Sequence, residues 1–307
     1  LKNIKAQFDE NPLGTDVSSA GRDLLSVTVL RESWRLHPLS WIHRAEARSV
    51  AKELRRAGYA VRLARFRSDS VAKFSSEPLL LRVSDPVMFA AVKAFTRSGR
   101  PFLGPSAAVM ERCYDKYEAY RIAAADGVDC PATTLANDSA AMPFPLVLKP
   151  RRGSDSIGVR IVRAGPIPAR ARINNYIAQQ YVRGAELTVA VLHERAGMPL
   201  HILLPDGTPY SFWRKYLLPP RRASVAAGDL AERVRRTALK IAGVFGVDWA
   251  ARIDLIHETA TGRLYFLECD VAPLIGAHSA FAASFEAAGI GRGEQLSMLL
   301  TKTAAKP

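Results

Sequence analysis

The segment that most restricts the fold lies near the C-terminal end. Arg252-Ile253-Asp254 is followed, after a turn-forming run Thr259-Ala260-Thr261-Gly262-Arg263, by Phe266-Leu267-Glu268-Cys269-Asp270. Residues two apart on a strand share a face. Glu268 therefore projects with Asp270, and Arg252 with Asp254. Antiparallel pairing about a turn centred on Thr261 sets Asp254 opposite Glu268. Three carboxylates on one face repel one another unless cations stand among them, and hard oxygen donors of this kind suit Mg²⁺ together with phosphate oxygens. A solvated acidic hairpin is the competing reading. The apolar neighbours Ile253, Leu255, Phe266 and Leu267 argue against it.

Upstream, strand and helix signals alternate. Strands are expected at 25–30, 59–64 and 79–83, with helices at 42–57 and 87–96, which implies a parallel α/β lobe. A helix over 114–125 precedes a strand-rich region with strands at 144–150, 158–162, 176–182 and 187–192, and a further helix spans 230–244. Four segments are expected: a loose arm over 1–22, an N-terminal α/β domain over 23–105, a central subdomain over 106–184, and a C-terminal subdomain over 185–307 that carries the carboxylate hairpin.

A chain of 307 residues can bury a large core. No apolar run reaches the roughly 20 residues needed to cross a bilayer, so no membrane partner is expected. Cys113, Cys130 and Cys269 have no metal-ligand spacing and cannot all pair, so a reducing cytoplasm is the simplest setting. The net charge of +14 raises the question of nucleic acid. The basic residues are scattered, however, and no nucleic-acid motif is present, so nucleic acid is not the expected partner.

Lys149 ends an apolar strand just before Pro150. The small-residue loop Arg151-Arg152-Gly153-Ser154-Asp155-Ser156-Ile157-Gly158 follows. Such loops let backbone N–H groups approach phosphate oxygens, and a lysine entering from the strand adds a point charge. Neither a Walker loop nor a dinucleotide fingerprint is present. An ordinary hairpin remains open for this segment taken alone.

The order Asp115-Lys116, Lys149-Pro150 with its loop, Gln179-Gln180-Tyr181-Val182-Arg183-Gly184-Ala185-Glu186, then Arg252, Asp254, Glu268 and Asp270 resembles the ATP-grasp superfamily. Within it the chain is most similar to the D-alanine–D-alanine ligase family, from about Arg100 to Leu300. Asp206 to Tyr210, Arg214 to Leu217, Pro273 to Ser279 and Ala287 to Ile290 carry that closer likeness. The resemblance implies a mixed α/β chain with α+β lobes, an ATP-grasp fold behind an N-terminal parallel α/β (pre-ATP-grasp) domain. It implies ATP and two Mg²⁺ ions as cofactors, with Mn²⁺ as a substitute, small amino-acid or carboxylic-acid substrates, and a homodimer formed through the N-terminal lobe.

By the same resemblance Lys116 and Lys149 contact the ATP phosphates, and Ser154, Asp155 and Ser156 fold over them. Tyr181 and Val182 offer backbone groups to the adenine, with Gln179 where the family has an adenine-reading Glu. Glu186 takes the ribose, and Lys215, next to Tyr216 on a mobile lid over 210–223, reaches the transferred phosphate. Asp254, Glu268 and Asp270 hold the metals, Arg252 steadies the acyl-phosphate and oxyanion, and Ser279, beside His278, grips the acceptor carboxylate. The implied activity is a carboxylate–amine ligase working through an acyl-phosphate. A ligase that modifies a protein or peptide terminus and a degenerate nucleotide-binding module are the alternatives.

The chain departs from the family pattern at four places. Asp270 replaces Asn, Leu274 replaces Gly, and Asp155 replaces a small hydroxyl residue. Arg31-Glu32-Ser33-Trp34-Arg35-Leu36-His37-Pro38 stands where the family has a glycine-rich motif with its Glu. The acyl donor is therefore expected to differ from D-alanine, being larger or acidic.

Overall fold

Strand β1 (Ser26–Arg31) is buried on both faces, as its unbroken Val-Thr-Val-Leu run requires of a central parallel strand. It pairs in parallel with β2 (Ala60–Arg65) on one side and β3 (Leu79–Arg82) on the other. The computed structural model describes residues 26–33, 38–67, 71, 78–153, 156–169, 171, 175–203 and 221–301. The expected arm over 1–22 lies outside them.

Helix α1 (Pro38–Arg56) covers one face of this sheet. Ala47, Val50 and Leu54 pack with Val27, Val29 and Leu80. Gly58, at φ +90°, turns the chain out of it. Helix α2 (Asp85–Arg97) covers the other face, where Phe95 meets Phe66 at a ring separation of 6.1 Å. The sheet order β2-β1-β3 with helices on both faces is a doubly wound arrangement.

The helix expected over 114–125 is two helices, α3 (Ala107–Tyr114) and α4 (Lys116–Ala125). The break is Asp115, in extended conformation, whose carboxylate accepts from the Glu118 N–H and caps α4. Ser106 caps α3 in the same way through the Val109 N–H.

Two antiparallel sheets follow. The smaller has the order β4 (Thr133–Leu135), β7 (Tyr176–Gln180), β5 (Leu146–Pro150), β6 (Arg160–Val162). The larger runs β11 (Arg221–Ser224), β10 (Leu200–Leu203), β8 (Gly184–Leu192), β12 (Ala250–Glu258), β13 (Leu264–Asp270), with β9 (Arg195–Ala196) paired to β8. Helix α5 (Asp229–Phe245) lays Val234, Ala238, Ile241 and Phe245 on the main core, and Gly246 at φ +66° ends it. Helices α6 (Ala280–Ala287) and α7 (Arg292–Leu299), which the sequence reading did not mark, close the second core around the fully buried Trp249. Its indole N–H donates to Leu299 O at 3.1 Å.

One buried ion pair ties the N-terminal sheet to the C-terminal half. Arg82, fully buried at the end of β3, forks onto Glu46 of α1 with two 2.9 Å bonds and donates to Pro273 O at 2.6 Å. Glu46 Oε1 in turn accepts from the Ile275 N–H at 2.6 Å. One turn pair along α1, Glu53 accepts from the Ala277 N–H and from Arg292. The Pro273–Ala277 loop therefore hangs from two carboxylates of α1. Replacing Arg82 by Met leaves the Glu46 charge uncompensated and should cost about 3–5 kcal/mol of unfolding free energy. Urea titration measures the loss, and amide exchange at Ile275 and Gly276 should quicken alongside it. A loss below about 1 kcal/mol would mean that this pair is not what fixes the loop.

A candidate ligase active site

In the β12–β13 hairpin, Asp254 pairs with Glu268 and Arg252 with Asp270, as the sequence register requires. Nearer the turn the register is one residue out of step: Leu255 faces Phe266, and Leu267 is skipped as a bulge. The bulge resolves a conflict in the sequence. In an unbroken strand Leu264 and Phe266 would share a face with Glu268 and Asp270. With it, Leu264, Phe266 and Cys269 point into the core while Glu268 and Asp270 stay partly exposed.

Arg252 sits among the carboxylates. Its Nε and Nη2 each donate at 3.0 Å to Asp254, and its Nη1 lies 3.1 Å from Asp270 Oδ2. Thr188, directly across on β8, donates its hydroxyl to Asp254 Oδ1 at 2.7 Å. Asp270 also accepts from the Ala272 N–H. Among the described residues no three Asp, Glu, His or Cys side chains form a ready-made metal cluster. In this arrangement the charges of the three carboxylates are offset by Arg252 and Lys116.

Lys116, at the start of α4, places its Nζ 3.3 Å from Glu268 Oε1 and donates to Gly153 O. Burial is the largest single influence and would depress its ammonium, but the Glu268 charge and hydrogen bond, with Tyr120 and Asp85, together outweigh it and hold the group above the usual lysine value. Lys149, on β5, is half-buried with a phenol as its hydrogen-bond partner, donating to Tyr120 Oη at 3.2 Å. Burial pulls it down to about 8, helped by the Lys116 charge and opposed by Glu268, Glu186 and Asp254. Two lysines near the same carboxylate thus shift in opposite directions: Lys116 pairs with it at 3.3 Å, while for Lys149 burial prevails.

Tyr120 links the lysine to the hairpin. Its hydroxyl lies 2.5 Å from the carbonyl of the bulged Leu267 and 3.4 Å from Gln179 Oε1. Gln179, buried on β7, donates its amide to Thr133 Oγ1 at 3.0 Å. Burial pushes the Tyr120 phenol well above its ordinary value, so it remains a donor at any pH at which the protein is handled.

The loop after Lys149 is pinned at its start. Arg151 grips Asp115 at 2.7 and 2.8 Å, and the Lys116 N–H donates to Arg151 O at 2.8 Å. Gly153, Ser156 and Gly158 all take positive φ. At Gly158 a Cβ would meet the Tyr176 hydroxyl at 2.7 Å, so a side chain there cannot be accommodated without displacement. Ser156 lies in this turn; Ser154 and Asp155 lie outside the described residues.

The remaining named residues are spread around this centre. Glu186 is half-buried on β8, opposite Ile256 and two residues from Thr188. Val182 is buried, and the Tyr181 N–H donates to Pro145 O at 3.2 Å, so it is not available to a base edge. Ser279 caps α6, its Oγ accepting from the Ala282 N–H at 3.0 Å. His278 presents its carbonyl to Arg222 at 2.9 Å. Lys215, Tyr216 and most of the expected lid lie outside the described residues.

A cavity of ≈ 40 Å³ borders Glu186, Thr188, Arg252, Asp254 and Leu267, room for a few waters at most. A cavity of ≈ 1160 Å³ opens elsewhere, beside Arg112, His193, Asp248 and Met298, and touches none of the residues singled out from the sequence. The pattern of charges, and not the size of a cavity, marks the site. Sequence reasoning missed Tyr120 and Thr188. Tyr120 sits four residues after Lys116, one helical turn away, which is the signal that could have found it.

The D-Ala-D-Ala ligase C-terminal family model matches residues 120–301, more than half of the chain. The D-alanine–D-alanine ligase of Nitrosospira multiformis is 28% identical over 218 residues, covering 66% of this chain and 71% of that one. That of Thermotoga petrophila is 31% identical over 203 residues, covering 61% and 66%. The second relative in order of similarity, from Albidiferax ferrireducens, is covered over 61% of its length. Among solved structures, D-alanine–D-alanine ligase from Bacillus anthracis superposes with a TM-score of 0.76 at 18% identity, over 90% of this chain and 96% of that one. The VanG D-Ala:D-Ser ligase from Enterococcus faecalis does so with a TM-score of 0.71 at 16% identity, over 90% and 98%. The fold is thus that of the ATP-grasp ligases, and the chain belongs to the D-alanine–D-alanine ligase C-terminal family.

Proposed function

We propose that this chain is an ATP-dependent carboxylate–amine ligase whose reacting groups meet between the C-terminal end of β5 and the β12–β13 hairpin. The observation that carries the reading is the close opposition of Lys116 and Lys149 to Glu268, within the electrostatic reach of Asp254 and Glu186. Cations and carboxylates in this mixture suit a triphosphate with divalent ions. Neither modification of a protein terminus nor a catalytically silent module is favoured, since the relatives bear the names of small-substrate ligases.

In the reaction a carboxylate oxygen of the donor attacks the γ-phosphorus of ATP. The bond from that phosphorus to the β,γ-bridging oxygen breaks, and ADP leaves. A neutral amine then attacks the acyl carbon, and inorganic phosphate departs as the amide forms. Lys116 and Lys149 hold the phosphates and lower their repulsion toward the incoming anion. Asp254, Glu268 and Asp270 fit two Mg²⁺ ions, or Mn²⁺ in their place, since all three offer hard oxygens on adjoining strands. Bound there, the ions would neutralise phosphate charge. Arg252, released from its carboxylates by that competition, would face the oxyanion. Ser156 and the positive-φ loop would offer backbone donors, Val182 and Gln179 would flank the adenine, and Glu186 would take the ribose. Ser279 would meet the acceptor carboxylate with its free hydroxyl hydrogen, and Lys215 and Tyr216 would complete the phosphate side.

Incubating the purified protein with Mg·ATP and pooled amino acids should give amide products by mass spectrometry, with ADP release that depends on both acids. Glu268→Gln should lower kcat about 10²- to 10³-fold, in the range for losing one electrostatic stabiliser, with the fold preserved by circular dichroism. Unchanged turnover in that variant would remove Glu268 from the metal set.

Lys149 gives a second test. With its ammonium pulled down to about 8 in the ligand-free protein, it is charged below that pH and neutral above it. A bound triphosphate favours the charged form, so binding above pH 8 must draw in a proton and weaken by up to about tenfold per pH unit. Calorimetry in buffers of different ionisation enthalpy should show that uptake at pH 8.5. Lys149→Met should abolish it. Uptake that persists in the variant would assign the proton elsewhere.

A further inference from the structure

The carboxyl edge of the parallel sheet carries three arginines in register. Arg31 of β1 pairs with Arg65 of β2 on one side and Arg82 of β3 on the other. Paired residues of a parallel sheet point to one face, with strands about 4.8 Å apart. That face lies under α1, because Val27, Val29 and Leu80, at the same parity, pack against α1. Arg82 is neutralised by Glu46. Arg31 has no such partner: its Nε and Nη1 are buried without a hydrogen bond. The charges it feels are those of Arg44 and Arg48, four apart on α1, and of Arg65. Burial first, and then these three like charges, hold its guanidinium below the ordinary arginine value. Glu32, the next residue, does not relieve it. Adjacent strand residues face opposite ways, and the Glu32 carboxylate accepts from Ser84 at 2.6 Å, at the cap of α2 on the far side of the sheet.

Four guanidiniums converging at the carboxyl end of a doubly wound sheet, one of them with buried unpaired N–H groups, form a receptor for an anion. The position of the row links it to the ligase site. Arg82 holds Pro273 O, in the loop that leads to Ser279, and Arg31 and Arg65 stand about 5 and 10 Å farther along the sheet edge, by the strand spacing. We propose that Arg31 and Arg65, with Arg44 and Arg48 above them, bind a second anionic group of the acyl donor, a carboxylate or a phosphate, and so select a doubly anionic donor over alanine. The inference rests on the ligase reading above, and names the substrate class for it.

The test is direct binding to the full chain in the presence of Mg²⁺ and a non-hydrolysable ATP analogue. Calorimetric titrations with glutamate, O-phosphoserine and alanine, each in both stereoisomers, compare the classes. Glutamate or phosphoserine should bind at least about tenfold more tightly than alanine, as a charge-assisted bidentate contact warrants; which of the two binds better identifies carboxylate or phosphate. Arg31→Gln should remove that advantage while binding of the ATP analogue is unchanged. Arg65→Gln, on the exposed outer strand where folding is not at risk, should weaken the same ligands and leave alanine unaffected. Equal binding of all three compounds, or anion binding indifferent to both variants, would overturn the proposal. ADP release distinguishes the two readings. Anion binding that responds to Arg31→Gln without turnover of any donor sinks the ligase reading alone. Efficient turnover of alanine with none of glutamate or phosphoserine sinks this one alone.

Discussion

Three carboxylates on two adjacent strands are unstable as a group unless positive charge is built in among them, and the rest of the site is arranged around that requirement. Arg252 is on the same strand as Asp254 and opposite Asp270, so the hairpin supplies its own counter-ion. Glu268 is left over, and its cation arrives from another part of the chain, Lys116 on α4. To bring Lys116 there, the chain must break a helix at Asp115 and tie the Arg151–Gly153 loop to the break. Folding the smaller antiparallel sheet against the larger one is thus partly an electrostatic closure. The same closure places the glycine-rich loop beside the acidic hairpin. On the proposed reading, divalent ions bound there would compete with Arg252 and Lys116 for oxygens and leave both cations to face an anionic substrate.

The bulge at Leu267 serves two ends at once. It turns Glu268 and Asp270 away from the core that holds Phe266, and it frees a carbonyl that the regular ladder would have used. Tyr120 takes that carbonyl and presents its oxygen to Lys149. A half-buried ammonium held by a phenol is poorly compensated compared with one held by a carboxylate. Lys149 is therefore the member of the site whose charge depends most on what binds beside it. Lys116, paired with Glu268, keeps its charge without a ligand.

Much of this was legible in the chain. The pairing of Asp254 with Glu268 follows from turn position and strand period, and the alternation of strands and helices up to Arg97 gives the parallel sheet. The bulge was legible in principle too, since Leu264 and Phe266 cannot share a face with Glu268 and Asp270, but turn counting alone passes over it. What the sequence could not give is contact between distant segments. Tyr120 meeting Leu267 spans 147 positions and Arg82 meeting Pro273 spans 191, and no local periodicity encodes either. The split at Asp115 was missed because Tyr114 to Ala125 has helical composition throughout. Its signal is a capping aspartate, which competes with the helix only once Arg151 holds it.

The two halves of the chain differ in how closely they follow the family pattern, and the structure gives a physical meaning to that difference. On the proposed reading the C-terminal part would serve phosphate, metal and oxyanion, whose charges are the same whatever acid is joined. The family match accordingly falls on that part, over residues 120–301. On the same reading the N-terminal sheet has no such fixed task and would meet the portion of the donor that differs between ligases. There the chain sets arginines across the strand ends and spends a glutamate of α1 on neutralising only one of them. A lobe under no demand for a negative ligand would place Glu or an apolar residue at Arg31, since burying unpaired guanidinium N–H groups destabilises the fold. Retaining that cost in the central strand, one strand from the arginine that anchors the Pro273–Ala277 loop, is the pattern expected where an anionic substrate group supplies the missing partner.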